Sequence, residues 1–180
     1  MMNKAARILT NMVSDDRRKM EETIGELSDG ADLKEQAQYI DDLLNYAETS
    51  GIPMQTTMRK CGGNCLGKEI IELAKEIYRS TSSVGEFLQG LNEKGIGGGN
   101  LHLASSKIIA VYKSCYCDIP DKTHSLNPLY CQCSAGWFQR LFSEIFEKPV
   151  SVKIVDTITN GAGECTFMIE DSEERGVEER

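Results

Sequence analysis

What this sequence lacks narrows the field first. No apolar run approaches the roughly 18 residues needed to cross a bilayer, and the N-terminus does not show the basic, apolar, small-residue order of an export signal. The expectation is a cytoplasmic protein with no membrane partner. Histidine is nearly missing, with two residues in 180, so imidazole chemistry has only His102 and His124 to draw on. Basic residues are outnumbered, 20 against 28 acids, for a net charge of −8, and no basic stripe runs along the chain. An acidic surface of that kind is a poor partner for nucleic acid. The glycine-rich run 95–99 follows a helical pattern rather than a strand and has no Lys-Ser/Thr after it. It therefore lacks the parts that make a phosphate-binding loop and reads as a linker. No internal repeat is visible.

Cysteine, by contrast, is plentiful: seven residues, an odd number. Without an export signal, cysteines in such numbers point to metal ligands, reactive thiols or compact buried residues before they point to disulfides.

Along the chain, residues 3–49 have helical periodicity. Ile8, Met12 and Val13 mark a first stripe. Asp15 or Asp16 is placed to cap a second helix carrying Met20, Ile24 and Leu27, and Asp32 to open a third with Leu33, Ala37, Ile40, Leu43, Leu44 and Ala47. After the Gly51-Ile52-Pro53 loop comes Cys61-Gly62-Gly63-Asn64-Cys65, whose glycines permit a tight turn or a close backbone approach. A helix then follows through Ile70, Ile71, Ala74 and Ile77, and Ser83-Val84-Gly85-Glu86 has the form of a capping box for another. Beyond residue 100 the period changes. Residues 101–104 and 107–117 read as strands, the second rich in Ile, Val and Tyr. Residues 118–129 read as a loop, and Val150, Val152 and Ile154 alternate in a third strand. After Gly161-Ala162-Gly163, Cys165, Phe167 and Ile169 share the face of a fourth.

Between these strands lies the most informative stretch, Tyr130-Cys131-Gln132-Cys133-Ser134-Ala135-Gly136-Trp137-Phe138. Ser134 is a candidate N-cap, and Trp137, Phe138, Leu141, Phe142, Ile145 and Phe146 mark one buried helical face that Lys148-Pro149 ends. Cys131 and Cys133 fall at the start of this helix, where free N–H groups and the helix dipole favour a thiolate.

The expected fold is α+β: an N-terminal helical region (1–100), then a small antiparallel sheet with the aromatic helix packed on it (101–170), then an acidic disordered tail (171–180), the whole forming one compact unit. Cys115-x-Cys117 and Cys131-x-Cys133 bracket a loop and suggest four sulfurs for zinc or for an iron–sulfur cluster. On an extended strand, side chains two residues apart start about 6.6 Å from each other, so each pair chelates only if the chain bends. Cys61 and Cys65 have the more usual zinc spacing and are further candidates. Trp137, Phe138, Phe142 and Tyr112 are candidate walls of a ligand pocket. A different reading takes Cys133 or Cys131 as a nucleophile with His124 or His102 as its base. The long N-terminal helices admit a homodimer.

The residues Tyr130-Cys131-Gln132-Cys133-Ser134-Ala135-Gly136-Trp137, Leu141-Phe142, Pro149-Val150-Ser151-Val152 and Gly161-Ala162-Gly163-Glu164-Cys165-Thr166-Phe167 together resemble the C-terminal part of the 4-vinyl reductase domain group. They also resemble a set of uncharacterised bacterial cysteine-rich proteins. In vinyl-reductase-like domains a helix is followed by a hairpin whose turn reads Gly-x-x-x-Cys-x-Phe, which Gly161, Cys165 and Phe167 match. Those domains commonly carry a further cysteine four residues before the glycine, where this chain has Thr157. The resemblance implies binding of a small apolar or mixed ligand, and with the cysteines it makes a metal-containing small-molecule-binding or sensing protein the favoured expectation. A similar ending in thiazoline-carboxylate hydrolase-like proteins makes a cysteine hydrolase the alternative.

Overall fold

Asp32 illustrates how local chemistry sets the first helices. Its carboxylate accepts the N–H groups of Lys34 and Glu35 while Glu35 accepts the N–H of Asp32, a complete capping box that opens α3 (Leu33–Thr49). The computed structural model describes residues 3–120 and 126–172, so His124 and residues 173–180 of the acidic tail lie outside the described residues. Before α3 come α1 (Lys4–Thr10) and α2 (Ser14–Ile24). The N-cap of α2 is Val13, which offers no side-chain oxygen; Asp15 and Asp16 stand inside its first turn, where the helix dipole favours their charge.

The Cys61–Cys65 segment is helical. It closes α4 (Met54–Cys65), and α5 (Lys68–Ser80) follows after a short break. Gly62 and Gly63 do not turn the chain there; they thin one face of α4. Ser83 caps α6 (Val84–Glu93) by accepting the Glu86 N–H, and a 3₁₀ turn at Ile96–Gly99 leads into the sheet.

The sheet contains β1 (Leu101–Ala104), β2 (Lys107–Tyr112), β3 (Val150–Asp156) and β4 (Cys165–Asp171) in the order β1-β2-β4-β3, with every neighbouring pair antiparallel. β2 stops at Tyr112, five residues short of the expected end, so Cys115 and Cys117 stand beyond it in irregular chain. Ile108, Ala110 and Tyr112 on β2 and Cys165, Phe167 and Ile169 on β4 form the buried face. Packed over it is α7 (Gln132–Phe146), with Phe138, Leu141, Phe142 and Ile145 turned inward. This helix begins earlier than Ser134 suggests. A 3₁₀ turn at Pro128–Cys131 runs directly into it, so Cys131 takes the N-cap position with helical backbone angles and Ser134 is interior. At the other end Glu147 adopts a left-handed conformation and Pro149 prevents continuation.

Two apolar cores result. One joins α5, α6, the sheet and α7 around Phe87, Phe138, Phe142 and Phe167. The other joins α1 to α4 around Ile8, Met20, Ile40 and Met58, and takes in Ile119, Leu126 and Tyr130. The α4–α7 crossing connects them. There, a Cβ on Gly62 would stand 1.7 Å from the Cys133 carbonyl oxygen, and one on Gly136 would stand 2.0 Å from that of Arg59. Only two glycines allow helix backbones to approach so closely. Arg59 and Arg140 secure the crossing: Arg59 donates to Gln132, Gln139 and the Val152 carbonyl, and Arg140 to the Gly63 carbonyl.

A sulfur-lined cavity at the helix crossing

Where α4 meets the start of α7, the two cores leave a cavity of about 470 Å³. Its walls include Cys65, Cys115, Cys117, Cys131, Cys133 and Cys165, six of the seven cysteines in the chain. Cys61 is buried immediately behind them. All seven are free thiols.

The sulfurs fall into two groups. In the first, Cys61 and Cys65 lie four residues apart on α4, hence on one helix face, and Cys133 meets them from α7 in a hydrogen-bonded triad. Above this triad sits α1, whose Ala5, Ile8 and Leu9 are buried in the second core. Lys4 and Arg7, three residues apart on α1, reach down to the sulfurs. Lys4 Nζ stands 3.0 Å from Cys133 Sγ and 3.5 Å from Cys65 Sγ, and the Arg7 guanidinium stands 3.4 Å from Cys65 Sγ. In the second group Cys165, at the start of β4, is hydrogen-bonded to Cys115 and Cys131. The Ile158 N–H donates to Cys165 Sγ at 3.3 Å, and Cys131 Sγ is hydrogen-bonded to the Thr159 hydroxyl at 3.0 Å. Cys117 belongs to neither group; its Sγ lies 2.8 Å from the Tyr130 hydroxyl.

Charge is distributed accordingly. Cys65 is drawn well below the ordinary thiol range by hydrogen bonds from Cys133 and Cys61, helped by Lys4 and Arg7. Cys61 is pushed up, first by its bonds to Cys133 and Cys65 and then by burial. For Cys133 the bond to Cys61 favours the thiolate, but its bond to Cys65 and its burial prevail and raise it. Burial alone would lower Lys4, yet the sulfurs of Cys133, Cys61 and Cys65 outweigh it and hold the ammonium charged. In the second group Cys165 is lowered to about 3 by hydrogen bonds from Cys115 and Cys131, and Cys131 is raised by the bond to Cys165 and by burial. In each triad, hydrogen bonds from the neighbouring S–H groups favour the thiolate form on one sulfur, Cys65 in the first and Cys165 in the second.

The rest of the cavity wall is mostly aromatic rings and glycine backbone, with Asp118, Pro120 and Ser134 among them. Tyr112, Tyr116 and Trp137 line it together with Gly97 and Gly98 of the 3₁₀ turn. Gly98 has φ +85° and is pressed against Tyr112 and Tyr116, whose rings stack edge to face at 4.6 Å; the Tyr116 hydroxyl donates to its carbonyl.

Cys115, Cys117, Cys131 and Cys133 line this cavity together with Cys65, with Cys61 behind them, but Cys133 falls in the first group, Cys115 and Cys131 in the second and Cys117 in neither. Tyr112 and Trp137 line it, whereas Phe138 and Phe142 are fully buried in the sheet-side core and do not. His102 is exposed on β1, outside the cavity lining. Among the described residues, no three His, Cys, Asp or Glu side chains form a group that would hold a metal ion. The sequence gives little sign of the parts played by Lys4, Arg7 and Cys165. A lysine and an arginine three apart on a short helix look like solvated charge, and Cys165 reads as a core residue of its strand, which it also is. The one available signal was the Gly-Gly between Cys61 and Cys65. A larger groove of about 790 Å³ lies along Asn11, Gln55, Lys60 and Arg140; most of its lining residues are polar or charged and none is a cysteine.

Fold and cavity together define an α+β protein organised around a sulfur-lined cavity. The chain belongs to a family of unknown function (DUF6144), whose pattern matches residues 12–175. The match is to that group rather than to the vinyl-reductase domain that its C-terminal motifs resemble. No curated protein matches the chain. Among solved structures, it is similar to an H-NOX protein from S. oneidensis in the Fe(II)NO ligation state, with 14% sequence identity and a TM-score of 0.42 over 91% of this chain and 97% of that one. Among the described residues no helix is long and apolar enough to cross a membrane.

Proposed function

We propose that this protein is a small-molecule-binding or sensing module that receives its ligand in the sulfur-lined cavity. One observation carries the reading: six cysteines, two cationic side chains and four large aromatic rings border a single space of about 470 Å³. That size suits a small organic ligand. Tyr112, Tyr116 and Trp137 favour an apolar or aromatic body, and Lys4 and Arg7 favour an anionic or soft group at the sulfur end. The resemblance of Gly161, Cys165 and Phe167 to the vinyl-reductase hairpin supports the apolar half of that description. The hydrolase reading draws no support from the described residues, where Cys131 and Cys133 are hydrogen-bonded to other thiols, a threonine and a lysine.

Trp137 is the only tryptophan and lines the cavity, so its fluorescence reports on occupancy directly. Anilinonaphthalenesulfonate, an aromatic body with one anionic group, is a suitable probe. Saturable quenching of Trp137 at one site per chain, weakened by Tyr116→Ala and by Arg7→Met, is the expected result. Quenching that neither substitution changes would overturn the proposal. Elemental analysis of protein purified anaerobically checks the zinc and iron–sulfur expectation on the same sample: about one equivalent of either would make these thiols ligands rather than walls.

A further inference from the structure

We propose that Cys65 is the attacking thiol of a thiol–disulfide exchange site, with Cys133 as its resolving partner and a low-molecular-weight disulfide as substrate. This activity concerns the α4–α7 end of the cavity and does not depend on ligand binding at the aromatic end.

Three observations meet on Cys65. It lines the cavity and is partly exposed, as Cys115, Cys117 and Cys133 also are, whereas Cys61 is 1% exposed, Cys165 3% and Cys131 6%. It stands between two cations, 3.4 Å from Arg7 and 3.5 Å from Lys4, which stabilise the thiolate that attacks and attract an anionic substrate such as a carboxylate-bearing disulfide. It is in hydrogen-bond contact with two further thiols, so a mixed disulfide formed there has a neighbour ready to displace the small thiol.

Geometry selects Cys133 as that neighbour. Cys61 and Cys65 share α4, and positions four apart on a helix hold their Cβ atoms about 5–6 Å apart. A disulfide needs about 3.5–4.5 Å, so that pair closes only if the end of α4 unwinds. Cys133 arrives from another helix, at a crossing tight enough that its carbonyl oxygen would lie 1.7 Å from a Cβ on Gly62. Its sulfur also shares the Lys4 ammonium with Cys65, at 3.0 Å.

The reaction balances without a further reagent. The Cys65 thiolate attacks one sulfur of the small disulfide, whose S–S bond breaks; the Cys65–sulfur bond forms, and the departing thiolate takes up a proton. Cys133 then gives up its proton and attacks Cys65 Sγ. The Cys65–Cys133 bond forms and the second small thiol leaves. The protein dithiol is oxidised by two electrons and one small disulfide is reduced to two thiols.

The test uses the full-length reduced protein, hydroxyethyl disulfide as probe, acid quenching at timed intervals and peptide mapping by mass spectrometry. The expected order is an adduct on Cys65 first, then a Cys65–Cys133 linked peptide. Cys133→Ser should stop at the Cys65 adduct, and Cys65→Ser should lose the fast phase. Arg7→Met, at a partly buried residue whose guanidinium reaches Cys65, should slow adduct formation several-fold, up to roughly tenfold. A first adduct on any other cysteine would overturn the assignment, as would an unchanged rate in Cys65→Ser. A Cys61–Cys65 link in place of Cys65–Cys133 would overturn the resolving role of Cys133.

Discussion

Replacing Gly62 with alanine should force α4 and α7 apart. The new Cβ would lie 1.7 Å from the Cys133 carbonyl oxygen, 2.6 Å from its carbonyl carbon and 2.9 Å from its Cα. These are backbone atoms within the first turn of α7, so no side chain can swing aside to make room. Overpacking of this kind costs about 1–3 kcal/mol, and a clash with backbone belongs at the upper end. Alanine recovers about 1 kcal/mol in helix propensity over glycine. The net destabilisation is then about 2 kcal/mol. For a chain of this length each kcal/mol moves Tm by about 2–4 °C, so the expected fall is about 4–8 °C. The same displacement withdraws Cys133 from Cys61 and Cys65, so thiol labelling of Cys133 should speed up in the same variant. Gly163→Ala is the control: a Cβ there meets nothing within 4 Å and its φ is not in the left-handed region, so the change should be neutral or slightly stabilising. Thermal unfolding followed by circular dichroism reads both variants. A Gly62→Ala protein that melts within about 1 °C of the parent would refute the tight crossing and the sulfur triad that depends on it.

Other expectations follow from the same geometry. Phe142→Leu, in the core but not in the cavity, should cost about 1–2 kcal/mol in urea unfolding and leave the probe affinity of the folded protein unchanged. Asp32→Ala removes the side-chain half of a capping box and should cost about 1 kcal/mol, measured the same way. The stability contributed by the Cys165 thiolate should depend on pH with a definite sign. Its folded pKa of about 3 lies below the ordinary value of 9.0, so the contribution is present above pH 9 and declines as the pH falls towards 3. The difference in unfolding free energy between the parent and Cys165→Ser should therefore narrow on acidification; a gap that widened would contradict the assignment of the thiolate to Cys165.

Much of the fold could be read from local pattern, because local chemistry fixes it. The helical stripe of α3, the capping residues Asp32 and Ser83, the alternation of Val150, Val152 and Ile154, and the aromatic face of α7 bury whichever side carries the apolar residues. Each can be recognised within a single window of chain. The start of α7 and the end of β2 were harder to place. A 3₁₀ turn anchored elsewhere, with the Asn127 side chain donating to Asn45 and Glu48 of α3, delivers Cys131 and Cys133 in helical geometry before Ser134 is reached.

An α+β chain rich in cysteine, with an aromatic helix at its centre, can be read from the amino acids alone, since composition and periodicity act over a few residues at a time. Only the tertiary structure decided which thiols meet. Cys65 and Cys133 are 68 positions apart, and Lys4 lies 129 positions from Cys133. Their encounter depends on two glycines that let helix backbones touch, and on a short N-terminal helix held over the crossing by its apolar face. Neither condition leaves a mark in the spacing of the cysteines, because proximity in a packed core is set by the whole fold and not by any one segment.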